Sequence, residues 1–433
     1  KTPCKLGSAS FLEVLNTLGN LNLSWLDFIS VDQIKNSKML VPVCLVSIVS
    51  ALLQVANAEV QAYDKIDFSN VGFAGTFTPV KKFSKIDSDD CSCEVADKQW
   101  FSGTNAPVSD YLSVHFRGPL KLNQFAFYDS PSFVISDSDS SSDWTRRAYY
   151  NSTSQTGENV TFLTGAGDDS KCLGKALTYA DSDGTSKASS ATLLKDDNEI
   201  TSDQEFVIFS NVSCPKSGLN KDCGVYRSGI PAYYGFGGVT KMFLFDFEMP
   251  RESQANSSSF SYYDMPAIWL LNDHIPRTSQ YPTNANCSCW ASGCGEFDIF
   301  EVMNGTERDH FYSTFHTFQG IEILGTGIQS YGYIPRDTES SMKGGVIFDS
   351  AGNVVTFLSN STTFDSSLTH SDIDTILSKI STDETYSSAL MTISATAPST
   401  SAKSSGFSIS TKTNGLWYYL FTLFTALTQV FMI

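Results

Sequence analysis

Apolar and polar positions along this chain alternate in short blocks broken by Gly, Asn and Ser, which is the mark of half-buried strands. The densest blocks are Glu205-Phe206-Val207-Ile208-Phe209 and Lys241-Met242-Phe243-Leu244-Phe245-Asp246-Phe247, with Tyr111–Phe116 and Phe125–Tyr128 before them. Helical periodicity is confined to the neighbourhood of Asp372–Ile380. The pattern predicts an all-β chain, with a jelly-roll β-sandwich over residues 160–395 whose curved face can hold a long ligand. Residues 59–135 read as a small Gly-rich β module, either separate or packed onto the sandwich as extra strands. A Ser/Asp run, Ser136 to Asp143, marks a solvated linker over 136–159. Ser, Thr and Ala dominate from Thr382 onward, so a Ser/Thr-rich stalk is expected over 396–415.

Two longer apolar runs lie outside this pattern. Leu40 to Val55 leads into Ala56-Asn57-Ala58, and the small residues at the first and third positions predict a signal peptide over 39–58 with a mature chain from Glu59. Residues 1–38 carry no usable pattern and are read as an upstream artefact of gene prediction, the alternative being an earlier start of translation. Leu416 to Ile433 is apolar and uncharged, behind a polar spacer and the small residues Ser404-Ser405-Gly406. That order is a GPI-attachment signal with Ser404 as the attachment residue, and 416–433 as the removed tail; a tail-anchoring transmembrane helix is the alternative.

Export changes the reading of the cysteines. Cys91, Cys93, Cys172, Cys214, Cys223, Cys287, Cys289 and Cys294 remain in the mature chain, an even set that predicts disulfides of undecided pairing. Zinc binding by Cys287, Cys289 and Cys294 is the competing reading, and it lacks a nearby fourth Cys or His. Sequons at Asn151, Asn159, Asn211, Asn256, Asn286, Asn304 and Asn360 fit glycosylated surface loops. A net charge of −17 argues against nucleic acid and is neutral toward an uncharged polysaccharide. No metal or cofactor is expected.

One stretch carries chemistry: Gly295-Glu296-Phe297-Asp298-Ile299-Phe300-Glu301. In a regular strand Glu296 and Asp298 share a face, whereas Glu301 falls among the apolar side chains. A buried unpaired carboxylate is costly, so a β-bulge near Ile299–Phe300 is expected to return Glu301 to the acidic face. Three crowded acids are poor for stability and suited to cleaving a glycosidic bond, in which retaining enzymes hold a carboxyl pair about 5–5.5 Å apart. On this reading Glu296 is the nucleophile, Asp298 the supporting carboxylate and Glu301 the acid/base. An acidic solvated strand is the bland alternative. Trp269 and Trp290 are candidate sugar-stacking rings or core side chains, and His316 is a candidate partner of substrate or of the acids.

The stretch, with Met265-Pro266-Ala267-Ile268-Trp269 before it, Trp290-Ala291-Ser292-Gly293-Cys294 leading in, and Thr314-Phe315-His316 after it, resembles glycoside hydrolase family 16. Cys287-Ser288-Cys289-Trp290 and the early segment Lys65–Thr76, closed by Cys91-Ser92-Cys93, resemble the fungal Target-of-SBF cell-wall protein family over roughly residues 62 to 395. The resemblance implies a concanavalin-like jelly roll, a wall location and an endo-β-1,3-glucanase or transglycosylase acting on cell-wall β-glucan, with chitin as a further possible acceptor. A non-catalytic glucan-binding wall protein is the alternative, and loss of turnover in Glu296→Gln discriminates the two.

Overall fold

The computed structural model describes residues 61–393 apart from 140, 220–222, 278, 320–326 and 381–384. The segments read as upstream sequence, signal peptide, stalk and anchor, Ser404 included, lie outside the described residues.

In chain order the main strands are β1 (Lys65–Ser69), β2 (Leu112–Arg117), β3 (Lys121–Asp129), β4 (Trp144–Asn151), β5 (Thr161–Thr164), β6 (Glu205–Phe209), β7 (Lys241–Glu248), β8 (Ala267–Asn272), β9 (Glu296–Glu301), β10 (His310–His316), β11 (Met342–Phe348), β12 (Val354–Leu358) and β13 (Thr385–Ala389), with helix α1 (His370–Ser378) before β13. They form two large sheets. The first runs β4-β3-β7-β11-β12-β1-β13, with Ser367–Leu368 beyond β4. The second runs β5-β6-β2-β8-β9-β10, extended by Thr178–Ala180 beyond β5 and Ile328–Gln329 beyond β10. The inner faces share one apolar core, where Phe243, Phe245 and Phe348 of the first sheet join Val114, Phe116, Ile268 and Phe297 of the second. The all-β sandwich expected from the pattern is thus the architecture of the chain.

The outer faces differ. On β7, Met242 and Leu244 point away from the shared core into a second apolar cluster with Trp144 and with Ile373 and Ile376 of α1. A strand buried on both faces reads as a continuous apolar run, which is why β7 was so plain in the sequence. Helix α1 starts at a capping box: Thr369 accepts from the Asp372 backbone N–H while the Asp372 carboxylate accepts from that of Thr369. The outer face of the second sheet mixes apolar clusters with polar side chains and carries a groove of about 600 Å³ lined by Arg117, Trp269, Glu296, Asp298, Glu301 and His316.

One open alternative is decided by the structure, and one expected boundary differs. Strands β1, β2 and β3, from the stretch read as an N-terminal module, are built into the sheets: β1 pairs with β12 and β13, β2 lies between β6 and β8, and β3 between β4 and β7. The expected linker over 136–159 holds β4, whose Trp144, Ala148 and Tyr150 are buried. Reading that segment by its Ser and Asp content hid the alternation of Trp144-Thr145-Arg146-Arg147-Ala148-Tyr149-Tyr150. Cys91–Cys172 and Cys93–Cys287 tie a short hairpin of the same early stretch, Val80–Ser84 with Ser92–Val95, to the loops that carry Cys172 and Cys287.

Candidate active site

Strand β9 is where sequence and geometry meet. Trp269 of β8 lies opposite Asp298 and Ile268 opposite Phe300, so Ile299 is the extra residue of a bulge. On the other side Asp298 faces Thr314 and Glu301 faces Tyr312, the same one-residue slip. The carbonyl of Ile299, displaced from the ladder, accepts the Ser313 hydroxyl at 2.8 Å. Phe297, Ile299 and Phe300 enter the shared core, while Glu296, Asp298 and Glu301 line the groove. The bulge therefore falls where the apolar pattern placed it.

The loop feeding β9 is set by two glycines. Gly293 and Gly295 have φ of +88° and +110°, and a Cβ on Gly293 would meet the Phe318 ring at 2.4 Å. Just before them a single turn of 3-10 helix, Trp290–Ser292, is closed by the Cys289–Cys294 disulfide. That turn presents the half-buried Trp290 so that its indole N–H donates to a Glu296 oxygen. The cysteines here are disulfide-bonded rather than zinc ligands, and Cys214–Cys223 completes the set.

The second Glu296 oxygen accepts from Gln280. An indole nitrogen can only donate, so the Trp269 N–H, 3.1 Å from the Gln280 amide oxygen, fixes which end of that amide faces Glu296. Trp269 is nearly buried and acts here as a brace. Asp298 meets His316 at 3.0 Å, which places that histidine against an acid. Glu301, the most exposed of the three, pairs with Arg117 at 3.1 Å, and Arg117 also donates to the Met265 carbonyl at 2.8 Å. Gln280 and Arg117 were missed in the sequence. Gln280 sits in a loop with no pattern, but Ser113, His115 and Arg117 alternate with Val114 and Phe116, the signal of a strand with one polar face.

Burial dominates the electrostatics. It pushes Glu296 up to about 7, with the Glu301 charge adding and His316, Trp290 and Gln280 opposing. Burial also holds Asp298 well above its ordinary value, reinforced by Glu301 and Glu296 and resisted by His316. Glu296 and Asp298 thus hold protons in the groove at pH values where free carboxyls have lost them. Glu296, Asp298 and His316 place one donor atom each within 4.8 Å of one another. The Trp290, Gln280 and His316 bonds already engage those atoms, an arrangement suited to moving protons. Among the sequons, Asn211, Asn256, Asn286, Asn304 and Asn360 are exposed, whereas Asn151 and Asn159 are half-buried.

A two-sheet sandwich with three carboxylates on a bulged strand, open to a long groove, defines a ligand-cleft β-protein. Comparison places it further: the family described as cell wall protein YJL171C/Tos1 matches with its N-terminal part over residues 64–130 and its C-terminal part over 142–376. The chain belongs to this cell wall protein family. It is 65% identical over 380 residues to a Saccharomyces cerevisiae protein named probable circularly permuted 1,3-beta-glucanase YJL171C, covering 88% of this chain and 96% of that one. A Candida albicans protein named probable circularly permuted 1,3-beta-glucanase PGA52 is 55% identical, covering 83% and 93% respectively. The Saccharomyces cerevisiae protein named probable circularly permuted 1,3-beta-glucanase TOS1 is 32% identical, covering 73% and 90%. No solved structure matches.

Proposed function

We propose that this chain is a retaining endo-β-1,3-glucanase or glucan transglycosylase of the fungal cell wall. The observation that carries this reading is the bulge at Ile299, which brings three acids of one strand to a single groove. Ionised Glu296 attacks the anomeric carbon, and the bond to the leaving oxygen breaks as Glu301 delivers its proton there. Arg117 steadies the Glu301 carboxylate that results. Glu301 then takes a proton from water or a sugar hydroxyl, which displaces Glu296 from the sugar. Asp298 and His316 share a proton beside this pair and limit the repulsion that three bare charges would create.

The names of the relatives support β-1,3-glucan as substrate. The permuted order in those names fits a sandwich whose first and last described strands, β1 and β13, are paired side by side. The apolar runs at 39–58 and 416–433 support export and GPI anchoring. The test is turnover of defined β-1,3-gluco-oligosaccharides by Glu296→Gln, with circular dichroism to confirm folding. We expect kcat to fall by more than about 10³-fold. A folded variant with wild-type turnover would remove the nucleophile assignment. Wild-type protein that is retained by laminarin but neither cleaves nor transfers it would leave a glucan-binding wall protein.

A further inference from the structure

The aromatic side chains around the carboxylates divide by exposure. Trp269 is 6% exposed and its N–H is committed to Gln280. Tyr281 and Tyr262 line the same groove but are 63% and 45% exposed. Each is held by the side chain that also holds an acid. The Tyr281 hydroxyl accepts from Gln280 at 2.7 Å, the amide that donates to Glu296, and its ring stands edge-on to Trp290 at 4.7 Å. The Tyr262 ring lies 4.5 Å from the Arg117 guanidinium, which pairs with Glu301. One exposed ring is thus tied to each end of the acid row.

Resting on the glucanase reading, we infer that Tyr281 and Tyr262 are sugar-stacking platforms on the two sides of the scissile bond, Tyr281 beside Glu296 and Tyr262 beside Glu301. A β-linked glucopyranose carries its ring substituents equatorially, so axial C–H bonds make both of its faces apolar. Such a ring removes an exposed tyrosine face from water, whereas a sugar with an axial hydroxyl presents only one face of this kind. The same contacts then report sugar occupancy to Glu296 and Glu301 through Gln280 and Arg117.

The test compares retention in laminarin-containing native gels, and KM on β-1,3-gluco-oligosaccharides, for the wild type, Tyr281→Ala, Tyr262→Ala, the matching Phe variants and Tyr331→Ala. Each Ala variant in the groove should weaken binding about tenfold, the worth of one ring face taken from water. The Phe variants should recover most of that loss. Tyr331, exposed but outside the groove, should not matter. Retention of Tyr281→Ala and Tyr262→Ala at the wild-type level overturns the inference alone. So does a Phe variant as weak as its Ala counterpart, because the ring would then be irrelevant. Wild-type protein with no affinity for β-1,3-glucan removes the functional reading, and this inference with it.

Discussion

Strands β7 and β9 are written in nearly the same letters and have opposite fates. In β7, Phe245-Asp246-Phe247-Glu248 alternates regularly, and its acids are met by partners. Asp246 accepts from Asn123 at 3.2 Å, from Gln124 at 3.3 Å and from Ser341, with Lys343 at 3.7 Å. Glu248 pairs with Lys121 at 3.2 Å. In β9, Asp298-Ile299-Phe300-Glu301 has one apolar residue more, and the bulge follows from it. Its three acids share Arg117 and His316. The Asp246 carboxylate is met by polar partners on the covered sheet and is structural, whereas Glu296 and Asp298 are buried beside Glu301 in a groove and hold protons there. The difference lies in the partners that the fold supplies.

Deleting Ile299 tests this contrast most severely. The strand would then read Glu296-Phe297-Asp298-Phe300-Glu301, with the alternation of β7 and no need of a bulge. The acids would stay on the groove face, but Glu301 would shift by about 3.3 Å along the strand and away from Arg117. We expect kcat to fall about 10²-fold, and the lost core side chain to cost about 2–5 kcal/mol in denaturant unfolding. Unchanged turnover in a folded deletion variant would show that the bulge does not set the catalytic spacing.

Paired Asp→Asn substitutions sharpen the comparison in pH. The folded chain holds a proton on Asp298 above the range in which the unfolded chain releases it. Wild-type stability should therefore fall as pH rises from the ordinary carboxylate value through the raised one. Asp298→Asn removes that loss, so its Tm should exceed wild type near neutral pH and converge with it at acidic pH. Asp246→Asn should instead lower stability by about 1–2 kcal/mol, because one amide oxygen cannot serve the donors that the carboxylate serves. A Tm gain from Asp246→Asn, or none from Asp298→Asn, would break the distinction between the two strands.

The smallest effect belongs to the covered face. Thr369→Ala removes the cap of α1 and should cost about 1 kcal/mol, with kcat unchanged because the helix covers the outer face of the first sheet, whereas Glu296, Asp298 and Glu301 lie on the second. A drop in kcat would mean that the two outer faces are coupled through the core.

Legibility followed the range of the interactions. Strand β7, helix α1 and the bulge in β9 were readable because each rests on local alternation, a local cap or the cost of one misplaced carboxylate. The alternation of β4 is masked by the Ser- and Asp-rich residues before it, whose composition is that of a linker. Gln280 left no trace, since its role comes from Trp269 and Glu296, which meet it only in the folded chain. Arg117 did leave one, an alternating polar face on β2, but nothing local tied that strand to β9.

By itself, the sequence determined that this chain is an all-β sandwich with three acids on one bulged strand, because burial periodicity and the cost of an unpaired charge act over a few residues. Tertiary structure alone decided that the early strands belong to the main sheets, that α1 covers one outer face, and that Gln280 and Arg117 hold the two outermost acids. Those outcomes depend on which strands pair across long stretches of chain. Such pairing is chosen by the packing of whole faces, and no short window of sequence records it.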